Sequence, residues 1–364
     1  MRKEKTVYFE AMRILACVLV IFNHLPAYTL YTSSTGKKQF IYMCLAMITR
    51  INVPLFFMIS GALLLEKSEE WTYVFKKRFM RVILLLTIFS FILYSITKLK
   101  NVVNGTEYEY TLLKFIYGLL YNQMEGVMDV LAYWYLYSYL GLLFVLPLIQ
   151  RIAKGLTKTE FFALLILHFL ISSLLPLINI CLSIRQLSPL LLTGRFSVPF
   201  AADRAFFYPL AGYYLDKNVD MHKITRKHIA GLILAAAAGI ILSNWCTYFD
   251  AAKNGVFSQN YVMLFDYITS IVAFILIKYF FVVVCPKLSS GKSSRIICFI
   301  GSMTLGIYLW DPCLKVAFFE KYEAYAEPVL PTLFVSIGWI VISMICGMLL
   351  TSLLRKLPLI KKLF

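Results

Sequence analysis

The sequence has 364 residues, 60% of them hydrophobic and only 15% charged, and its 36 Lys and Arg against 19 Asp and Glu give a formal net charge of +17. A soluble domain is nearer half apolar and a quarter charged, and a mean hydropathy of +0.75 leaves more apolar sequence than one core can bury. That excludes an ordinary soluble enzyme, and the placement of the basic residues, taken up next, argues against nucleic acid as their partner.

The apolar residues fall into runs long enough to cross a bilayer, which takes about 20 residues each. Ten spans are expected, at approximately 7–28, 41–65, 79–98, 131–149, 160–181, 200–216, 228–248, 260–285, 296–314 and 329–353. The expected fold is therefore all-α and polytopic, one membrane domain over 1–364 with no soluble domain appended. No cleavable signal peptide is expected, because the first apolar run is full length and no small-residue cleavage site follows it. With the N-terminus inside, the inner segments hold 22 Lys and Arg and the outer segments ten. This asymmetry follows the positive-inside rule and places both termini in the cytoplasm. The basic charge then reads as an orientation signal, with some attraction to anionic membrane lipid.

The first span, "MRILACVLVIFNHLP" (12–26), carries an arginine and a histidine that lipid disfavours. Arg13 and His24 are eleven residue steps apart, three helical turns plus roughly 20°, so a continuous helix sets both on one face, about 16 Å apart. Glu10, three residues before Arg13, lies on the same stripe and can pair with it. One reading is a structural ion pair at the inner interface, with His24 hydrogen-bonded at the outer end. The other gives Arg13 an anionic donor entering from the cytosol and makes His24 a general base, a role that suits histidine because its unperturbed pKa lies near neutrality.

The third span opens with "FKKRFMRVILL" (75–85), where Arg78 and Arg81 stand at i, i+3. Such a cluster serves as a positive-inside anchor or, through its guanidinium forks, as a phosphate site. Between the third and fourth spans, "YTLLKFIYGLLYNQMEG" (110–126) is apolar and aromatic and reads as a re-entrant or interfacial helix. Farther on, "SIRQLSPLLLTGRFSVPFAADR" (183–204) suits the lining of an entrance. His168 reads as a histidine bonded to a neighbouring helix, Asp203 and Arg204 as a helix anchor, and Lys278 as a side chain snorkelling inward. The eight cysteines show no ligand spacing, so neither a disulfide framework nor a metal site is expected.

The ordered set of these features resembles the acyltransferase-3 family of integral-membrane acyltransferases. The resemblance rests on Arg13, ten residues and His24; on Glu10 before them; on "VPLFFMISGALLL" (53–65); on Arg78 and Arg81; and on "YWYLYSYLGLLFVLPLI" (133–149), "FFYPLAGYYLDK" (206–217) and "IGSMTLGIYLW" (300–310). It covers nearly the whole chain. It implies transfer of an acyl group, usually acetyl, from coenzyme A to a hydroxyl of an extracytoplasmic glycan or lipid-linked sugar. "VPLFFMISG" is nearest the surface-polysaccharide O-acetyltransferase branch, and this implies a bacterial plasma membrane and cell-envelope polysaccharide as the setting. No tightly bound cofactor is implied, with acetyl-CoA or another acyl-CoA as co-substrate. The resemblance makes His24 catalytic and assigns Arg13, Arg78 and Arg81 to the donor. An oxyanion must also be stabilised, with Arg50, Asn52, Tyr133 and Trp134 as candidates. Many relatives have a histidine after the "YLW"-like stretch, where this chain reads "IYLWDP" with Asp311. Asp311 either replaces it by ionic chemistry or marks a position that tunes structure or substrate. The rival reading from another class is a transporter of a small polar solute or amino acid, using Glu10, Arg13 and His24 as a relay.

Overall fold

The computed structural model describes residues 6–105, 111–121, 133–188, 190, 204–255, 257, 264–358, 361 and 363, and every regular element among them is helical. A helix satisfies each backbone N–H and C=O within its own segment, as a chain crossing hydrocarbon must. Among the described residues, seven helices are long and apolar enough to cross a membrane: Gly36–Leu64, Trp71–Val103, Lys158–Ile184, Arg226–Lys253, Asp266–Val284, Gly291–Ala326 and Thr332–Leu354. Two bent pairs, Val7–Asn23 with Pro26–Ser33 at 74° and Trp134–Phe144 with Leu146–Gly155 at 70°, raise the count to nine if each is one span. The sixth expected span, 200–216, is described as Arg204–Asn218, 15 residues, short of the about 20 a crossing takes. Residues 191–203 ahead of it, Asp203 included, lie outside the described residues. The chain is an all-helical, multi-pass membrane protein.

Three spans are less regular than their apolar runs suggest. The first helix ends at Asn23 rather than near residue 28. The N–H groups of His24 and Leu25 instead close tight turns onto Ile21 O and Phe22 O, each at 3.0 Å. Pro26 is the cause: it has no N–H to donate and disfavours helical geometry in the residue before it. His24 therefore stands just past the helix end, and the count of 100° per residue holds only as far as Asn23. The second span breaks at Arg50 and Ile51, between Gly36–Thr49 and Asn52–Leu64. The third opens with a π-helical turn over Val74–Phe79, whose wider i→i+5 pitch takes Arg78 and Arg81 out of simple α-helical register.

The chain divides into two compact units, the first made of Met1–Leu19, Tyr28–Ser68 and Leu148–Cys298, the second of Val20–Ala27, Glu69–Pro147 and Phe299–Phe364. In the first, Asn52–Leu64 and Arg204–Asn218 lie backbone to backbone. A Cβ placed on Gly61 would overlap the Pro209 carbonyl, and one on Gly212 the Met58 carbonyl. Lys278 does not snorkel out of this unit. It is 7% exposed, and its Nζ meets Asp216 Oδ1 at 2.9 Å and donates to the Asp216 carbonyl at 2.7 Å. The Tyr8 hydroxyl donates to the same Oδ1 at 2.6 Å. A partner within reach removes the need to carry the ammonium to the interface. His168 is buried and lies flat on Phe207, ring centroids 3.9 Å apart.

In the second unit, Gly291–Leu314 and Thr332–Leu354 approach closely through small residues, Gly306 against Thr351 and Gly347 against Ile307. This is how membrane helices associate when lipid supplies no hydrophobic drive between them. The Leu112–Tyr121 helix buries Phe115 and Gly118 and exposes Leu112, Leu113 and Leu120.

Candidate active site

Asp311 comes from the Gly291–Leu314 helix, in a stretch that also holds Pro312. Its side chain is 3% exposed, and Oδ2 stands 3.6 Å from His24 Nδ1 in the same unit. The opposite oxygen, Oδ1, accepts the Ser343 hydroxyl at 2.7 Å. A separation of 3.6 Å is too long for a hydrogen bond and within ion-pair reach of a protonated ring. The buried carboxylate stands on the Nδ1 side of a histidine whose side chain is 24% exposed. With Nδ1 turned to Asp311, Nε2 is left for chemistry.

Tyr133 lies beside this pair and is wholly buried. Its hydroxyl donates to Leu309 O at 2.7 Å and lies 3.7 Å from Cys313 Sγ, so its proton is committed to the helix that carries Asp311. Trp134, its neighbour in sequence, is 43% exposed. Also in the second unit, Arg78 forks onto Glu69, Nε to Oε2 at 2.7 Å and Nη2 to Oε1 at 2.5 Å. Arg81 Nε donates to Leu363 O at 2.7 Å.

In the first unit, Arg13 Nη1 donates to Glu10 Oε1 at 2.7 Å, the i, i+3 pairing that their spacing allows. Arg50 sits at the break in its span, where an unpaired charge is costly. Its Nε donates to the Tyr28 hydroxyl at 2.7 Å, and its guanidinium carbon stands 4.9 Å from that ring's centroid. Asn52 Oδ1 accepts the adjacent Val53 N–H at 2.6 Å. Arg204 Nη1 meets the buried Asp266 at 3.0 Å.

Ser343, Glu69 and Tyr28 escaped the sequence reading. A serine in an apolar span, an acid in a polar loop and a tyrosine among 24 carry no pattern of their own. Glu69 is one of three acids, with Glu66 and Glu70, in the run leading to the basic cluster at 76–81.

The multi-pass helical body carries a histidine–carboxylate pair within one unit, His24 half-buried and Asp311 buried. The family model described as an acyltransferase domain, Acyl_transf_3, matches residues 6–354, and the chain belongs to that family. It is an acyltransferase of groups other than aminoacyl groups. Comparison with curated proteins and with solved structures gives no match.

Proposed function

We propose that the protein is an O-acyltransferase, most simply an O-acetyltransferase, of a bacterial plasma membrane. It takes the acyl group of cytosolic acyl-CoA and places it on a hydroxyl of an extracytoplasmic envelope polysaccharide or lipid-linked sugar. The observation that carries the reading is the placement of Asp311 behind His24. In this mechanism His24 Nε2 takes the proton of the acceptor hydroxyl while that oxygen attacks the thioester carbonyl. Asp311 holds the ring in the tautomer with a free Nε2 and stabilises the imidazolium that forms. Collapse of the tetrahedral intermediate breaks the C–S bond, and His24 returns the proton to the departing coenzyme A sulfur. One ester forms, one thioester breaks, and no other reactant is needed.

Donor identity and acceptor class rest on family membership and on the arginines. In this reading Arg13, Arg78 and Arg81 are the residues assigned to the donor. The test is transfer itself, in inside-out membrane vesicles given acetyl-labelled coenzyme A. Label is expected to leave coenzyme A and to be recovered, alkali-labile, in a saccharide or lipid-linked saccharide fraction. Label that remains in the thioester with native envelope acceptors present removes the reading.

Arg78 and Glu69 give a second expectation. Because Glu69 occupies two arms of the guanidinium, Arg78→Ala removes a cation and leaves a carboxylate facing the place of the phosphates. Donor affinity is expected to fall by about tenfold or more, since hydrogen bonds to charged groups are worth roughly 1.5–3 kcal/mol. Arg78→Lys restores only part, because an ammonium cannot fork. Titration of the purified protein with coenzyme A reads this directly, and unchanged affinity in both variants rejects the assignment.

A further inference from the structure

In the second unit, the Leu112–Tyr121 helix is too short to cross a membrane, its ten residues reaching about 15 Å against a hydrocarbon core of about 30 Å. Two tyrosine hydroxyls hold it near its ends, Tyr94 donating to Thr111 O at 3.1 Å and Tyr137 to Leu119 O at 2.5 Å. Phe115 is buried against the Trp71–Val103 helix, its ring centroid 5.5 Å from those of Phe91 and Tyr94. Phe91 ends the exposed stripe Leu84, Ile88 and Phe91 on that helix, which is long and apolar enough to cross the membrane. The lipid-facing surface of the span therefore runs on to the short helix at the Phe91–Phe115 contact.

Around the axis of the short helix the exposed residues are ordered by polarity. At about 100° per residue, the arc outside Phe115 and Gly118 passes Leu112, Ile116, Leu120 and Leu113, then Tyr117 and Tyr121, then Lys114. The aliphatic part is open, Leu113 at 77% and Leu120 at 74% exposed, and the two tyrosine rings stack with centroids 4.4 Å apart. Along the axis there is no such order, because Lys114 and Tyr121 stand near opposite ends, as do Leu113 and Leu120. A re-entrant helix points inward from one surface, and its polarity would change along its length. A change around the axis is that of a helix lying in the membrane plane, aliphatic side chains inward, tyrosines at the boundary and lysine reaching out to the headgroups. Depth agrees with this. Lys98 and Lys100 mark where the span reaches the polar layer, and Phe91 and Tyr94 lie seven and four residues before Lys98, about 10 and 6 Å at the helical rise. An interfacial helix buries its apolar face by about 5–10 Å.

We propose that Leu112–Tyr121 is an in-plane helix whose partner is the bilayer surface, with Leu113, Ile116 and Leu120 among the acyl chains, Tyr117 and Tyr121 at the ester carbonyls and Lys114 at the lipid phosphates. Held by Tyr94 and Tyr137, it fixes the depth at which the Trp71–Val103 and Trp134–Phe144 helices stand in the membrane. This does not depend on the donor or the acceptor, so it stands or falls apart from the acyl-transfer reading.

The test places a phenylalanine analogue carrying a trifluoromethyl diazirine at one position at a time, in the full-length protein reconstituted into vesicles of phosphatidylethanolamine and phosphatidylglycerol. On illumination its carbene inserts into whatever lies nearest, and the mass of the labelled peptide tells acyl chain from water and from protein. In place of Leu120 the probe is expected to give lipid adducts in severalfold excess over water adducts, and in place of Lys114 the reverse. In place of Phe115 it is expected to insert into its own chain between residues 88 and 97, the sign of a docked helix. Water adducts in excess at Leu120 overturn the proposal, since the helix then stands in solution. A cross-link from Leu120 to a second protein molecule overturns it in favour of an interface between copies. Equal lipid labelling at Lys114 and Leu120 overturns it too, because a helix immersed all round does not lie in the interface. Loss of the Phe115 cross-link removes the docking on the span, and the depth argument with it.

Discussion

His24→Ala is expected to bring acyl transfer to the limit of detection, and Asp311→Asn to slow it by about 10²–10⁴-fold, the range typical of losing a general base or its orienting carboxylate. The two losses differ in kind. Alanine removes the proton acceptor, and the acceptor hydroxyl, whose own acidity is negligible at neutral pH, then has nowhere to send its proton. Asparagine keeps the size of Asp311 and can still accept the Ser343 hydroxyl at the oxygen that now sees it at 2.7 Å. It presents an amide N–H to His24 Nδ1, however, which favours the tautomer whose proton is on Nε2, the wrong one for a base. Coenzyme A affinity is expected to be unchanged in both variants, so the fall should be in kcat with donor KM intact. A Ser343→Ala protein should stand between Asp311→Asn and wild type, because it loosens the carboxylate without removing it. Rates measured in vesicles of matched protein content, with detergent melts to confirm folding, decide the matter. An Asp311→Asn enzyme at the wild-type rate would show that the carboxylate only fills space behind the ring.

How far the chain can be read without coordinates depends on the sequence distance each feature spans. Apolar runs announce the membrane helices because solvent transfer acts on each segment alone, and nine of the ten expected runs correspond to long helices or bent pairs. The Glu10–Arg13 pair is equally local, three residues on one helix. Pro26 carries the end of the first helix openly, and counting a uniform helix through it overextended the regular geometry to His24. Contacts made by folding were not legible. Asp311 reaches His24 from nearly the other end of the chain, and what marked it beforehand was a departure from a family pattern, which located a position without a partner. Glu69 meets Arg78 across a loop and a π-helical turn that no periodicity reports. Sequence alone gives Lys278 the generic behaviour of a lysine in lipid. Its burial depends on Asp216 and Tyr8, supplied by two other helices.

The largest stability effect is expected where two backbones touch. Gly61 and Gly212 each face the other helix at a main-chain carbonyl, of Pro209 and Met58, so an added methyl meets atoms that no rotamer change moves away. The helices Asn52–Leu64 and Arg204–Asn218 must then separate, and van der Waals contact at small residues is what holds such a pair together in lipid. Overpacking a core costs about 1–3 kcal/mol and occasionally more. Here a second cost follows, because Asp216 lies on the same helix as Gly212, one turn further on. Moving that helix draws Asp216 from Lys278 and Tyr8, and breaking a buried pair costs about 3–5 kcal/mol. Together these consume much of the about 5–15 kcal/mol that keeps a protein folded. Gly212→Ala is expected to lower the detergent melting temperature by 10 °C or more, about what several kcal/mol implies, and Gly212→Val to leave little folded protein. Gly141→Ala is the internal control: no atom lies within 4 Å of its added Cβ, and replacing a helical glycine there should be neutral or stabilising by up to about 1 kcal/mol. If Gly212→Ala and Gly141→Ala melt together with wild type, the close approach of the two helices is wrong. If Gly212→Ala alone falls, and Gly61→Ala falls with it, the carbonyl contacts are what set the spacing of the first unit.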